Sequence, residues 1–202
     1  MEKTKIAVLV SGGGTNLQAL IDAQNSGIIK SGEIVAVISN KPDVYALTRA
    51  ENAGIKGYVA NKKQLGAGFE DELVRILTEV QAEIIILAGF MCILSENFTK
   101  QYPNRIINVH PALIPSFCGE GFYGLHVHEA ALEKGVKVTG ATVHFVNEIC
   151  DGGEIIAQKA VEVLEGDTPE TLQRRVMEQA EWIILPLAAE KVSAQIMKQK
   201  GE

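Results

Sequence analysis

The stretch Ile6-Ala7-Val8-Leu9-Val10, followed by Ser11-Gly12-Gly13-Gly14-Thr15-Asn16, decides the fold class. Residues 6–10 form an unbroken apolar run, which is typical of a strand buried on both faces of a sheet. Apolar residues then recur at helical spacing over residues 15–23, and Gly27 follows as a stop signal. A buried strand, a glycine-rich turn and a helix in this order predict the first unit of an α/β protein.

The same alternation of apolar runs and helical spacing continues along the first half of the chain. It predicts strands at 34–38, 58–60, 84–88 and 105–109, and helices at 45–53 and 69–80. Strand–helix–strand repetition implies right-handed crossovers, which make neighbouring strands parallel. We therefore predict a Rossmann-like α/β fold, with a mostly parallel sheet and flanking helices.

Prolines and glycines mark an irregular segment after His110. Beyond it the pattern predicts a short helix at 127–133, strands at 138–146 and 155–163, and a long amphipathic helix from Thr168. This last helix should bend or break at Pro186. Because there is no repeat, low-complexity tract or linker, the sequence predicts one domain over residues 1–202.

The composition excludes several classes of protein. Apolar residues make up 47% and charged residues 22%, which are globular values and exclude a disordered or fibrous chain. The net charge of −6 argues against a non-specific nucleic-acid binder, which needs clustered cations. The three cysteines have no C-x-x-C spacing, and no apolar run is long enough for a membrane span or a signal peptide. We therefore predict a soluble cytoplasmic protein.

The glycine loop is a candidate anion site. Glycines between a strand and a helix let the backbone approach a ligand, and the N–H groups of the helix face its negative charge. Leu17 occupies the third glycine position of the dinucleotide fingerprint, so the loop suits a small phosphate and not a dinucleotide. The alternative is a plain turn in which Thr15 or Asn16 caps the helix.

Asn108, His110 and Asp151 form a second candidate site. Asn108 and His110 are two residues apart at the end of a predicted strand, so their side chains share a face. If Asp151 folds back near His110, its carboxylate raises the imidazole pKa and favours the imidazolium. Asn108 and His110 then offer two donors to a developing oxyanion, as acyl transfer requires. The alternatives are a structural histidine and a turn-forming aspartate.

Several motifs resemble those of the phosphoribosylglycinamide formyltransferase family of purine biosynthesis. They are S-G-G-G-T-N-L-Q-A from Ser11, N-V-H-P-A-L-I-P-S-F from Asn108, G-V-K-V-T-G-A-T-V-H-F-V from Gly135 and D-G-G from Asp151. The resemblance covers nearly the whole chain and implies a formyltransferase fold. It also implies transfer of a formyl group from 10-formyltetrahydrofolate to the glycine amine of 5′-phosphoribosylglycinamide.

The same resemblance implies a role for individual residues. The implied catalytic residues are Asn108, His110 and Asp151. The implied substrate-binding residues are Gly14, Thr15 and Asn16, which hold the phosphate, together with Glu181. The implied folate-binding residues are Met91, Cys92, Ile93, Leu94 and Asn108.

Glu181 can also be interpreted from its neighbours alone. It lies in an apolar stripe of the predicted C-terminal helix, among Met177, Ile184 and Leu185. A carboxylate there can be an edge residue that reaches for solvent. The resemblance implies instead that Glu181 contacts the ribosylglycinamide substrate.

The sequence also leads to predictions about metals, binding partners and the division of the chain. His126, His128 and His144 include an H-x-H pair, but no cysteine or carboxylate is suitably spaced, so we predict no metal site. The predicted partners are the two small molecules, without nucleic acid or membrane, and the protein is a monomer or a homodimer. Phosphate binding is assigned to about residues 1–100, and folate binding and catalysis to about residues 101–202.

Three other functions stay open at this point. One is a non-catalytic sugar-phosphate-binding module, and another is a 10-formyltetrahydrofolate hydrolase, which normally has an N-terminal regulatory domain. The third is a methionyl-tRNA formyltransferase, which normally has a basic C-terminal domain. We expect neither extra domain in a chain of 202 residues.

Overall fold

The computed structural model describes residues 2–201, which form one seven-stranded sheet with helices on both faces. The strands are β1 (Thr4–Val10), β2 (Gly32–Ser39), β3 (Gly57–Val59), β4 (Ile84–Leu87), β5 (Ile106–His110), β6 (Val138–Phe145) and β7 (Ile155–Glu162). The helices are α1 (Thr15–Asn25), α2 (Tyr45–Asn52), α3 (Lys62–Leu65), α4 (Phe69–Glu79), α5 (Glu96–Thr99), α6 (Leu125–Lys134), α7 (Pro169–Val176) and α8 (Trp182–Gln199). The strands and helices predicted from the sequence are all present.

Two helices were not predicted. Helices α3 and α5 each have four residues, which is too short for a helical period to show in the sequence. Each is started by a side-chain cap, from Asn61 in α3 and from Ser95 in α5. No helix within residues 2–201 is both long enough and apolar enough to cross a membrane.

The strand order is β3-β2-β1-β4-β5-β6-β7. Strands β1 to β5 are parallel, β6 is antiparallel to β5, and β7 is antiparallel to β6. The predicted mostly parallel sheet is therefore confirmed. The chain moves outward from β1 to β3 and then returns to place β4 on the other side of β1. Such a reversal leaves a crevice at the carboxyl ends of the two central strands, which is where ligands bind in open α/β sheets.

Strand β1 is buried on both faces, as its unbroken apolar run predicts. Ile6, Val8 and Val10 pack into a core with residues of α1, α2, α7 and α8. Ala7 and Leu9 pack into a second core with residues of α4 and α5. Because successive side chains of a strand point to opposite faces, one strand serves both layers. The glycine loop therefore starts from a rigid support.

The C-terminal helix begins where the sequence predicts, but it departs from α-helical geometry upstream of Pro186. Thr168 caps α7 in a capping box with Thr171. Residues Met177–Glu181 form a π-helical turn, and α8 then continues through Pro186. Proline offers no N–H to the carbonyl four residues before it, which at Pro186 is the carbonyl of Trp182 in the first turn of α8. The predicted interruption at Pro186 is therefore wrong, because α8 runs from Trp182 to Gln199 across it, while the predicted bend stays a prediction.

Candidate active site

The loop between β1 and α1 lies at the crevice. Gly14 has a φ of 73°, and a Cβ at this residue would lie 2.7 Å from the Cβ of Ala46 on α2. Both its conformation and its packing therefore require glycine. Gly14 is the N-cap of α1, and no described side chain caps this helix. The alternative in which Thr15 or Asn16 caps α1 is therefore wrong, and the first N–H groups of the helix can face an anion.

Asn16 and Glu181 meet beside the start of α1. Nδ2 of Asn16 donates to Oε2 of Glu181 at 2.7 Å, and both side chains are buried. Burial raises the pKa of Glu181, and the hydrogen bond from Asn16 offsets part of this effect. Oδ1 of Asn16 has no hydrogen-bond partner in the described part of the chain. Since a buried polar atom without a partner is costly, this pair is suited to a polar ligand.

The carboxyl end of β5 holds Asn108 and His110 on one face of the strand. Asn108 pairs in register with His144 of β6. Nε2 of His144 lies 3.3 Å from Nδ2 of Asn108 and 3.5 Å from Oδ1 of Asp151. His144 therefore links the amide of Asn108 to the carboxylate of Asp151.

Asp151 does fold back onto β5 from the loop between β6 and β7. Its Oδ2 accepts a hydrogen bond from the N–H of Gly119 at 2.9 Å and lies 3.5 Å from Nδ1 of His110. Burial alone would raise the pKa of Asp151. The hydrogen bonds with His144 and Gly119, together with the charges of the two imidazoles, lower this pKa below its usual value. Asp151 is therefore a carboxylate at neutral pH.

His110 is buried between β5 and the loop that contains Phe117. Its Nε2 donates to the carbonyl oxygen of Phe117 at 2.8 Å, so its Nδ1 faces Asp151. Burial lowers the pKa of His110, and the charge of Asp151 and the bond to Phe117 offset only part of that shift. The expectation that Asp151 makes His110 an imidazolium is therefore wrong for the free protein, because desolvation of the ring outweighs the neighbouring carboxylate.

Residues Met91–Leu94 follow the carboxyl end of β4. Leu87, at the end of β4, pairs with Asn108 of β5, and the N–H of Met91 donates to Oγ of Ser11 at 2.8 Å. The segment is thus held between the glycine loop and the strand of Asn108. Met91 and Ile93 are 55% and 69% exposed. Exposed apolar side chains beside a crevice favour a ligand with an apolar surface.

The H-x-H pair does not converge on one point. His126 is exposed, with Nδ1 3.0 Å from Oε2 of Glu129. His128 is fully buried, and burial lowers its pKa to about 4. Among residues 2–201, no three histidine, cysteine, aspartate or glutamate side chains form a group that could hold a metal ion.

Comparison with known proteins places this site in a family. The model of the family described as formyl transferase matches residues 4–188. The chain belongs to the formyl transferase family.

Individual relatives match this chain over most of its length. The trifunctional purine biosynthetic protein adenosine-3 of Gallus gallus is 48% identical over 95% of this chain, but the match covers only 19% of that protein. The chain therefore spans about a fifth or less of the length of the trifunctional relatives. Phosphoribosylglycinamide formyltransferase of Haemophilus influenzae is 43% identical over 91% of this chain and 84% of the relative. The solved structure of glycinamide ribonucleotide transformylase 1 from Symbiobacterium toebii has a TM-score of 0.89 at 40% identity, covering 96% of this chain and 89% of that one.

Sequence reasoning underestimated His144. A lone histidine on a strand is typical of a packing or hydrogen-bonding residue, and the structure shows that His144 forms a hydrogen-bonded contact. Its partners Asn108 and Asp151 were not foreseen, because they depend on the register between β5 and β6. The contact could have been found only by pairing β5 with β6 so that Asn108 lies opposite His144. The local sequence pattern does not fix the register between these two strands.

Proposed function

We propose that this formyl transferase moves the formyl group of 10-formyltetrahydrofolate to the glycine amine of 5′-phosphoribosylglycinamide, in de novo purine biosynthesis. One observation carries the proposal. Asp151 contacts both His110 and His144, and His144 contacts Asn108, in one network at the carboxyl end of β5. Membership of the family supplies the reaction class, and the similarity to phosphoribosylglycinamide formyltransferase of Haemophilus influenzae supports this acceptor.

The acceptor binds at the glycine loop. The open N–H groups at the start of α1, at Gly14, Thr15 and Asn16, receive its phosphate. Asn16 and Glu181 stand beside that position as a buried polar pair, which suits the hydroxyl-rich ribose of the same substrate. A hydroxyl can satisfy Oδ1 of Asn16, which has no partner within residues 2–201.

The donor binds at Met91, Cys92, Ile93 and Leu94. The apolar side chains of Met91 and Ile93 suit the flat ring system of a folate. Strand pairing of Leu87 with Asn108 brings this segment close to the amide that would meet the formyl oxygen. The folate itself supplies the activated formyl group as a substrate, so this proposal needs no metal.

Formyl transfer forms a bond from the amine nitrogen to the formyl carbon and breaks the bond from that carbon to N10 of the folate. Negative charge develops on the formyl oxygen, and we assign its stabilisation to the amide of Asn108 and to the N–H on Nε2 of His110, which must exchange the carbonyl oxygen of Phe117 for the formyl oxygen. That charge also favours protonation of His110, and it acts in the same direction as Asp151. Asp151, an acceptor at neutral pH, takes up the proton of the attacking amine through water, and that proton passes to N10 of the folate as the bond from N10 to the formyl carbon breaks.

An assay with three acceptors tests this function. With 10-formyltetrahydrofolate as donor, we expect formylation of 5′-phosphoribosylglycinamide, and a reaction with water at least about 100-fold slower, because only the amine is bound beside the formyl carbon. Initiator methionyl-tRNA should give no product. Release of formate at the same rate with and without the amine would indicate a hydrolase. Binding of the sugar phosphate without turnover would indicate a non-catalytic module.

The folate segment is tested by Ile93→Ser in the same assay. Removing an apolar side chain that the donor covers should raise the KM for 10-formyltetrahydrofolate by about 10-fold and leave the KM of the acceptor unchanged. Val138→Ser is the matched control, because Val138 is also half exposed but lies at the start of β6. Equal donor KM values for the two variants would contradict the assignment.

A further inference from the structure

The loop proposed to bind the phosphate contains no cation. A phosphate monoester has a charge of roughly −1.5 to −2 at neutral pH. The N–H groups at a helix N-terminus contribute only about half a positive charge. The carboxyl group of Glu181, next to Asn16, adds no positive charge. A phosphate at this loop therefore needs a cationic side chain from another element.

Arg49 of α2 lies directly against the loop. Its Nε donates to the carbonyl oxygen of Gly13 at 2.8 Å, and its Nη1 donates to Oε1 of Gln18 at 2.9 Å. Its Cδ is 3.4 Å from the point where a Cβ of Gly14 would stand. We propose that Arg49 binds the phosphate of the acceptor and determines the preference for a phosphorylated substrate. This inference rests on the proposed function.

The charge of Arg49 is available to a ligand. No carboxylate in the described part of the chain lies within 4.0 Å of its guanidinium, whereas Arg75 contacts Glu72 and Arg175 contacts Asp167. The bonds to Gly13 and Gln18 use two of the five N–H donors of a guanidinium. Arginine recognises phosphate oxygens through such paired donors.

The orientation of Arg49 is fixed before a ligand binds. Nε2 of Gln18 donates to Oδ1 of Asp22 at 2.9 Å, so the carbonyl end of Gln18 faces Arg49. The ring of Tyr45 lies 4.8 Å from Cζ of Arg49, within the range of a cation–π contact. Arg49, Gln18 and Thr15 together line one groove of about 600 Å³, so the guanidinium and the first residue of α1 face the same space.

Kinetics with two acceptors test the inference. Arg49→Gln should raise the KM for 5′-phosphoribosylglycinamide by about 10- to 100-fold, because a hydrogen bond to a charged group is lost, while kcat and the KM of the folate change little. The KM of the acceptor without its 5′-phosphate should be the same in wild type and variant. Arg49→Lys keeps the charge and should recover part of the affinity. Arg75→Gln removes one exposed cation from α4 and should leave every constant unchanged.

Inorganic phosphate gives a readout that does not depend on turnover. Titration calorimetry should show that inorganic phosphate binds to wild type and to Arg75→Gln. Its binding to Arg49→Gln should be at least about 10-fold weaker. Wild type that binds phosphate but forms no product would contradict the proposed function and keep the inference. Equal phosphate affinity of wild type and Arg49→Gln would overturn the inference. So would an Arg49→Gln effect of the same size on acceptors with and without the phosphate, because Arg49 would then only support the loop.

Discussion

Asp151→Asn is expected to lower kcat by at least about 100-fold, with a much smaller change in KM for either substrate. The substitution keeps the shape of the side chain but removes the charge that faces His110 and His144. His110 then loses the partner that favours its protonated form, and the amine loses its proton acceptor. Loss of one oxyanion donor alone typically costs about 10²- to 10³-fold in kcat, and Asn108→Ala and His110→Ala should each reach that range.

The pKa of His110 gives this prediction a second measurement. In the free protein burial lowers this pKa, and Asp151 acts in the opposite direction. Removing the carboxylate should therefore lower the pKa of His110 further, which NMR titration of the ring in wild type and Asp151→Asn measures directly. Asp71→Asn, on the exposed face of α4, is the control and should change neither kcat nor the pKa of His110. An unchanged pKa of His110 in Asp151→Asn, or a near-normal kcat of His110→Ala, would contradict the proposed roles.

The sign of this pH effect follows from the direction of the shift. A histidine whose folded pKa lies below its unfolded value stabilises the fold in its neutral form. Stability contributed by burying neutral His110 is therefore fully present above the unfolded pKa of about 6.5 and is lost as pH falls through the folded pKa. Asp151 behaves in the same direction at lower pH, because its folded pKa is also lowered and its contribution disappears when the carboxylate is protonated.

Local sequence pattern was enough to predict the sheet, because each strand and helix has its own period. The unbroken run of Ile6–Val10 predicts a strand with two buried faces, and the two cores of the structure confirm it. The proximity of His110 and Asp151 could be stated only as a condition, because the two residues are 41 positions apart, with α6 and β6 between them. The structure satisfies that condition through the loop between β6 and β7.

Energetic balances were harder to predict than geometry. The sequence suggests a raised pKa for His110, because it indicates a nearby carboxylate, Asp151. It does not indicate how deeply the imidazole of His110 is buried. The structure buries His110 and reverses the net direction. The buried pair of Asn16 and Glu181 shows the same limit, because the apolar stripe around Glu181 gives no sign of a hydrogen bond from α1. The roles assigned to these residues, and the cytoplasmic location suggested by the cysteines, stay predictions.

Gly14→Val is expected to abolish binding of 5′-phosphoribosylglycinamide while the folate still binds with nearly wild-type affinity. A Cβ at residue 14 would lie 2.7 Å from the Cβ of Ala46 and 3.0 Å from its Cα, so either the loop or α2 must shift. A β-branched residue is also strained at a φ of 73°. The first N–H groups of α1 and the guanidinium of Arg49 would then no longer face one point. Calorimetry with each ligand measures the two affinities separately.

Gly54→Val separates the loss of the site from backbone strain. Gly54 has a φ of 70°, but no heavy atom would lie within 4 Å of its added Cβ, so this variant reproduces the strain without the collision. The two variants should lose similar stability from the positive φ, of the order of 1–3 kcal/mol. Only Gly14→Val should lose the acceptor, because only there does the side chain displace a loop that binds phosphate. If Gly14→Val keeps the sugar phosphate and loses the folate, the assignment of the phosphate to the glycine loop and of the folate to Met91–Leu94 is wrong.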